Sequence, residues 1–362
     1  MAKDNCTSYK GQRYYPLESE TFSANEIDVD ISTVNLGYIT QMLENGGINL
    51  SPDFQRSTDI WDVTKKSRLI ESVLMGLPLP SFFFFEDEAN FKLSVIDGVQ
   101  RLCALRDFLD EKHPMKLKGM QFLTNLEDFV YADLPRPEAR RLKMLDVTMN
   151  VLRKGTPANV KYIIFERINN GGEKLNDQEL RHVINNGEAS DFLKELAESE
   201  CFRDATHNAI ESKRMKDREY VNHFVAFYTG YDFYKGNLKY FLNERMGLLN
   251  RITENEREEI KHDFYGAMRC CHDIFSNNAF VTPGSKNKVT MALFDALSVN
   301  MAWLNDEERL MLVKNSEMFK QEMERLYADS NFVNSIIHST NSVKNIKIRF
   351  ESIRDIIKRT ID

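Results

Sequence analysis

Strand patterning is confined to the early part of this chain. Short alternating or unbroken apolar runs fall at residues 26–31, 82–85, 91–96 and 146–152 and nearly vanish beyond about Ser190. From there apolar residues recur at helical spacing, as in Tyr220/Phe224/Phe227/Tyr228, Leu238/Phe241/Leu242/Met246, Met291/Leu293/Leu297 and Ile346/Phe350/Ile353/Ile357. A period of two puts alternate side chains on one face of a sheet, whereas a period of 3.6 makes a helical stripe. The change of period therefore predicts an α+β domain followed by an all-helical one. A length of 362 residues suits two domains. The expected partition is a loose polar arm over 1–25, a mixed domain over 26–188 and a helical domain over 189–362.

Within the mixed domain, Ser32 or Thr33 is expected to cap a helix running through Val34, Tyr38, Ile39 and Met42 to Gly46-Gly47. Thr64 opens a second helix with Leu69, Ile70, Val73 and Leu74 facing inward. The polar link at 86–90 makes the two neighbouring apolar runs a hairpin. Its second strand runs into Asp97-Gly98 and then a helix with Leu102, Leu105, Phe108 and Leu109 as its inner face. Helices are expected over 157–169, ended by Gly171-Gly172, and over 177–185.

Several classes are excluded or disfavoured. No run of about 18 apolar residues exists, so no membrane span is expected. The N-terminus lacks the apolar core of a signal peptide, so a cytoplasmic location is expected. A net charge of −7 disfavours broad electrostatic coating of nucleic acid, although a local basic groove is compatible with it. The five cysteines show no zinc spacing, and Cys270-Cys271-His272 with His262 is expected to be thiol and imidazole without metal. P-loop, dinucleotide, nucleophile-elbow and zincin motifs are absent.

Three polar constellations remain. In Ser94-Val95-Ile96-Asp97-Gly98-Val99-Gln100-Arg101, a strand passes through Asp-Gly into a helix. First-turn amides and the helix dipole there suit an anion. Gly98 would let a phosphate approach the main chain, and Arg101 would fork onto its oxygens. The competing reading makes Asp97 an N-cap and Arg101 a surface residue. The second constellation is Pro52-Asp53-Phe54-Gln55-Arg56 with Trp61, Lys65, Lys66 and Arg68, in which arginines and an aromatic suit phosphate and base. The third, residues 165–181, is a dense polar turn between helices that offers Arg167, Asn169, Gln178 and Arg181.

Read in order, these blocks resemble the bacterial DUF262 family, the N-terminal part of GmrSD-type modification-dependent restriction proteins. The blocks are P-D-F-Q-R, K-S-R-L-I-E-S-V-L-M-G-L-P-L-P, S-V-I-D-G-V-Q-R-L and F-E-R-I-N-N-G-G-E-K-L-N-D-Q-E-L-R. The likeness covers roughly residues 27–181. It implies a ParB/sulfiredoxin-like core with a small mixed sheet, and a D-G-Q-Q-R motif tied to nucleotide binding and hydrolysis. Here Val99 stands where the family usually has Gln, and no His-Asn-His nuclease segment follows Ser190.

The resulting expectation is an NTP-binding module of a phage-defence or restriction system, with hydrolysis slowed by Val99. Asp97, Gln100 and Arg101 would act on the phosphates, with Asp97 as a ligand of Mg²⁺. Gln55, Arg56, Arg68, Gly98, Arg167, Asn169, Gln178 and Arg181 would complete the nucleotide site. Two alternatives stand beside it. One is a non-catalytic DNA- or protein-binding regulator. The other is a nuclease using Asp97 with Glu71 or Glu166, or one needing a partner nuclease. DNA and a second copy of the chain in a homo-oligomer are further candidate partners.

Overall fold

The computed structural model describes residues 28–50, 61–86, 92–110, 112–153, 156, 158–168, 176–284 and 288–362. Two compact units emerge, Glu20–Lys174 and one containing Leu175–Asp362. The expected arm over 1–25 lies outside the described residues.

The first unit is built on a mixed five-stranded sheet in the order β1-β5-β3-β4-β2. Its strands are β1 (Val29–Asn35), β2 (Ile48–Asn49), β3 (Phe82–Glu86), β4 (Leu93–Asp97) and β5 (Asp146–Leu152). β1 and β5 pair antiparallel, β5 and β3 parallel, β3 and β4 antiparallel, and β4 and β2 parallel. The unbroken apolar run in β3 fits its central place, since Phe82, Phe84 and Phe85 are all buried. β3 and β4 form the expected hairpin, with a register shift between Phe83 and Phe84.

β1 outruns its expected end. Pairing continues through Thr33↔Thr148 and Val34↔Val147 to Asn35↔Asp146, so Ser32 and Thr33 are strand residues and cap nothing. Asn35 caps α1 (Leu36–Glu44) instead, its side chain accepting the Tyr38 N–H at 2.9 Å. Long-range pairing with β5 overrides the local cap signal. α2 (Val63–Leu74) is capped by Asp62, two residues ahead of the expected Thr64. α3 (Val99–Leu109) follows β4 directly. α4 (Arg136–Met144) has no apolar stripe, with Leu142 its buried residue, and sequence reasoning missed it. α5 (Ala158–Ile168) closes the unit.

The second unit is helical. It comprises α6 (Asp177–Ile184), α7 (Glu188–Glu198), α8 (Glu200–Ala205), α9 (Lys216–Gly230), α10 (Leu238–Leu248), α11 (Glu254–Phe275), α12 (Met291–Ala302), α13 (Asp306–Lys314), α14 (Ser316–Ala328), α15 (Ser330–Ile337) and α16 (Val343–Ile361). The Tyr220–Tyr228 stripe is core: Phe224 stacks on Tyr228 with centroids 5.4 Å apart, and Phe227 meets Phe350 at 5.4 Å. α12 is buried on nearly all sides and forms the unit's axis. Cys103, Cys201, Cys270 and Cys271 are free thiols, and burial pushes Cys270 up to about 12. Among the described residues no cluster of metal-ligating side chains occurs, and no helix is long and apolar enough to cross a membrane.

α6 falls in the helical unit, ahead of the change of texture read near residue 188. Its inward face is partly polar: Gln178 takes an N–H from Asn222 of α9 at 3.3 Å. The Asn185 amide, just past its end, donates to Asn243 of α10 at 3.0 Å. Leu180 and Val183 are buried on the same helix, so polar and apolar contacts share its interface.

Candidate functional site

β4 ends on Asp97, and Gly98 swings the chain into α3 at φ +102. That left-handed conformation strains any residue with a Cβ. Space forbids one as well, because a Cβ on Gly98 would lie 2.5 Å from the Phe82 ring. The open side of Gly98 therefore receives Phe82, where the sequence reading had foreseen a phosphate.

Asp97 does not cap α3. Its carboxylate accepts from Arg101 Nη2 at 2.8 Å, with the two side chains 26% and 11% exposed. The same guanidinium donates to the Pro80 and Ser81 carbonyls, the latter at 3.2 Å, and lies 4.6 Å above the Phe82 ring. Burial pulls the Arg101 pKa down, partly opposed by Asp97. Arg101 is thus neither a surface residue nor a fully extended phosphate fork. It clasps the start of β3 to the end of β4.

With Asp97 turned to Arg101, no side chain caps α3. Its first-turn amides keep the positive end of the helix available to an anion. Gln100, in that turn, accepts the Trp61 N–H at 3.2 Å. Trp61 immediately precedes Asp62, the cap of α2, which accepts the Lys65 N–H at 2.8 Å. Further along, Lys66 of α2 pairs with Asp107 of α3 at 2.6 Å. These two contacts run α2 and α3 in the same direction with their N-termini together. Gln55 and Arg56 lie outside the described residues.

Val99 is partly buried and packs against the core of this unit. That contact supports a packing role for position 99 as the competing reading to slowed hydrolysis.

The remaining candidates fall on other elements. Arg68 is exposed on α2. Arg167 is exposed at the end of α5, and Asn169 lies outside the described residues. Gln178 and Arg181 are 1% and 2% exposed within the helical unit. There the Arg181 guanidinium donates to Gln178 Oε1 at 3.1 Å. Both side chains are thus engaged inside that unit.

Glu71, offered as a nuclease metal ligand, has another task. Its carboxylate accepts the N–H groups of Gln121 at 3.0 and 3.1 Å, Phe122 at 2.7 Å and Leu123 at 2.8 Å. Burial raises its pKa, but these bonds and the nearby Arg68 outweigh burial and leave it below the usual carboxylate value. The side chain of Glu166 lies outside the described residues. Sequence reasoning missed the anchoring role of Glu71, yet a signal was present. Glu71 sits among Ser67, Ile70 and Leu74 on the inward face of an amphipathic helix, where an acid needs a partner.

A small mixed sheet whose inner strand turns through Asp-Gly into an uncapped helix, braced by an Asp–Arg pair, defines this unit as an α+β domain built around one strand-to-helix junction. Residues 39–184, from within α1 to the end of α6, match the family model described as GmrSD restriction endonuclease, N-terminal domain, and the chain carries a domain of that family there. Comparison with curated proteins and with solved structures gives no match.

Proposed function

We propose that the β4–α3 junction binds the phosphates of a nucleoside triphosphate, and that this binding serves a restriction-type system of the kind the family description names. The observation that carries the reading is the start of α3: no side chain caps it, and it lies beside the start of α2. First-turn amides of Val99, Gln100 and Arg101 would take phosphate oxygens, as helix N-termini do elsewhere. Arg101 would add charge while holding the turn, and Gln100 would orient water or a phosphate oxygen. Arg56, Gln55 and Arg68 are proposed on the α2 side, and Arg167 and Asn169 on the α5 side. Gln178 and Arg181 are left out because both are buried and hydrogen-bonded to each other within the helical unit.

The donor set fits Mg²⁺ only as an ion carried in with the nucleotide. Asp97 gives one oxygen to Arg101, and no cluster of three ligating residues surrounds it among the described residues. Its other oxygen, with the phosphates, would hold the ion, which neutralises phosphate charge when bound. DNA or a partner nuclease would then respond to the nucleotide-bound state.

Thermal denaturation with each NTP, with and without Mg²⁺, tests the reading. A ligand at a hundredfold excess over Kd stabilises the folded state by about 2.7 kcal/mol. A rise in melting temperature with NTP but not with the nucleoside is expected. No shift with any NTP at millimolar concentration would sink the proposal and favour the non-catalytic regulator.

A further inference from the structure

Between α3 and α4 the chain lays residues 117–123 along α2. The Lys118 N–H reaches Ser67 Oγ at 2.9 Å. Gly119 sits so close to Thr64 that a Cβ would lie 2.7 Å from its methyl group. Five successive amides are then taken by two carboxylates. Glu127 accepts those of Gly119 and Met120 at 2.9 and 3.0 Å, and Glu71 accepts those of Gln121, Phe122 and Leu123. On this fixed backbone the Phe122 ring is 72% exposed.

We infer that Phe122 is a stacking platform for an unpaired nucleobase of a nucleic-acid strand. A single exposed apolar side chain is ordinary on a protein surface. A ring whose backbone is fixed by two carboxylates is pre-organised, and little conformational entropy is lost when a flat partner lands on it. The loop amides already serve Glu71 and Glu127, so this backbone is not an anion site and recognition falls to side chains. The exposed residues next to Phe122 in the loop are Gln121, Thr124 and Asn125, and Arg68, exposed on α2, is close enough to Glu71 to help lower its pKa. Amides and a guanidinium flanking one aromatic match base stacking with edge hydrogen bonds. A protein-docking centre would instead surround the ring with apolar neighbours. Phe122 lies by Glu71, nine positions along α2 from Asp62. At a rise of ~1.5 Å per residue this is roughly 14 Å from the junction proposed for the phosphates. The inference stands whether or not that junction binds nucleotide.

Fluorescence anisotropy with a labelled mixed-sequence single strand and its duplex, using the full chain, tests it. The single strand is expected to bind more tightly than the duplex. Phe122→Ala and Phe122→Leu should weaken single-strand binding about 5- to 150-fold, the range for one lost stack, with the melting temperature unchanged. Phe122→Trp should retain binding. Glu71→Gln, which leaves the ring in place but removes carboxylate acceptor capacity beneath it, should also weaken it. Wild-type protein that binds no single strand, or Phe122→Ala binding like wild type, overturns the inference. So does competition by free NTP that Phe122→Ala abolishes, which would give the ring to a mononucleotide. Loss of self-association in Phe122→Ala without loss of strand binding would make the ring a protein contact.

Discussion

Arg101 Nη2 stands 2.8 Å from Asp97 Oδ2 across the turn that Gly98 makes. The pair spans a strand end and a helix start, so it fixes the angle at which α3 leaves the sheet. Both charges are desolvated enough for the geometry to matter, and Arg101 adds two carbonyl acceptors that only a forked cation serves together.

Arg101→Ala should therefore destabilise the chain by roughly 1.5–3 kcal/mol, the range for hydrogen bonds to a charged group. Urea denaturation of wild type and variant measures this. Arg101→Lys should recover only part, because a single ammonium cannot reproduce the fork. An unchanged midpoint for Arg101→Ala would mean the clasp contributes nothing.

Gly98→Ala meets two obstacles, the positive φ and the Phe82 ring. Where a compatible Gly→Ala exchange would stabilise by up to ~1 kcal/mol, a net loss larger than that is expected here. Combining it with Phe82→Leu should return the steric part and leave the backbone part. Additive losses in that double-mutant cycle would show that the ring and the glycine do not interact.

Val99→Gln buries an amide against apolar neighbours. A cost of about 1–3 kcal/mol is expected where that amide finds no partner. Nucleotide turnover, measured alongside the melting temperature, should not rise. Faster turnover at undiminished stability would return position 99 to the chemistry.

Glu71 gives the acid response a definite sign. Its folded pKa lies below the ordinary 4.5, so its contribution is fully present above that value and is lost as pH falls through the folded pKa. Glu71→Gln should lower stability at neutral pH and flatten the fall of the urea midpoint below about pH 4.5. Parallel pH profiles for the two proteins would assign the acid response to other groups.

The parts legible in the sequence were those governed by apolar period. The Phe run of β3 and the inward face of α16 each bury what their spacing foretold, whereas β4, read as alternating, is buried from Leu93 through Ile96 because it lies inside the sheet. Long-range partners were not legible in this way. Thr33 and Val34 joined a strand because β5 pairs with them, and α6, foreseen as a helix, belongs to the helical unit through the bonds of Gln178 and Asn185 as well as buried Leu180 and Val183. At the site, the junction residues Asp97, Gly98 and Arg101 were found in sequence, but their mutual commitments were not. No spacing rule states that Phe82 fills the glycine's open side or that Arg101 spends its fork on carbonyls of residues 80 and 81.

The register shift in the hairpin sets Phe83 opposite Asp97 and Phe84 opposite Val95, so Ile96 is one residue more than a regular ladder would hold. Parity along a strand decides which face a side chain takes. Taking Ile96 into a regular ladder opposite Phe83 would send Asp97 to the opposite face, away from Arg101, with every side chain of the motif still present. The bulge thus aims this junction, and a relative that kept every motif letter but paired this hairpin without it would point them at nothing.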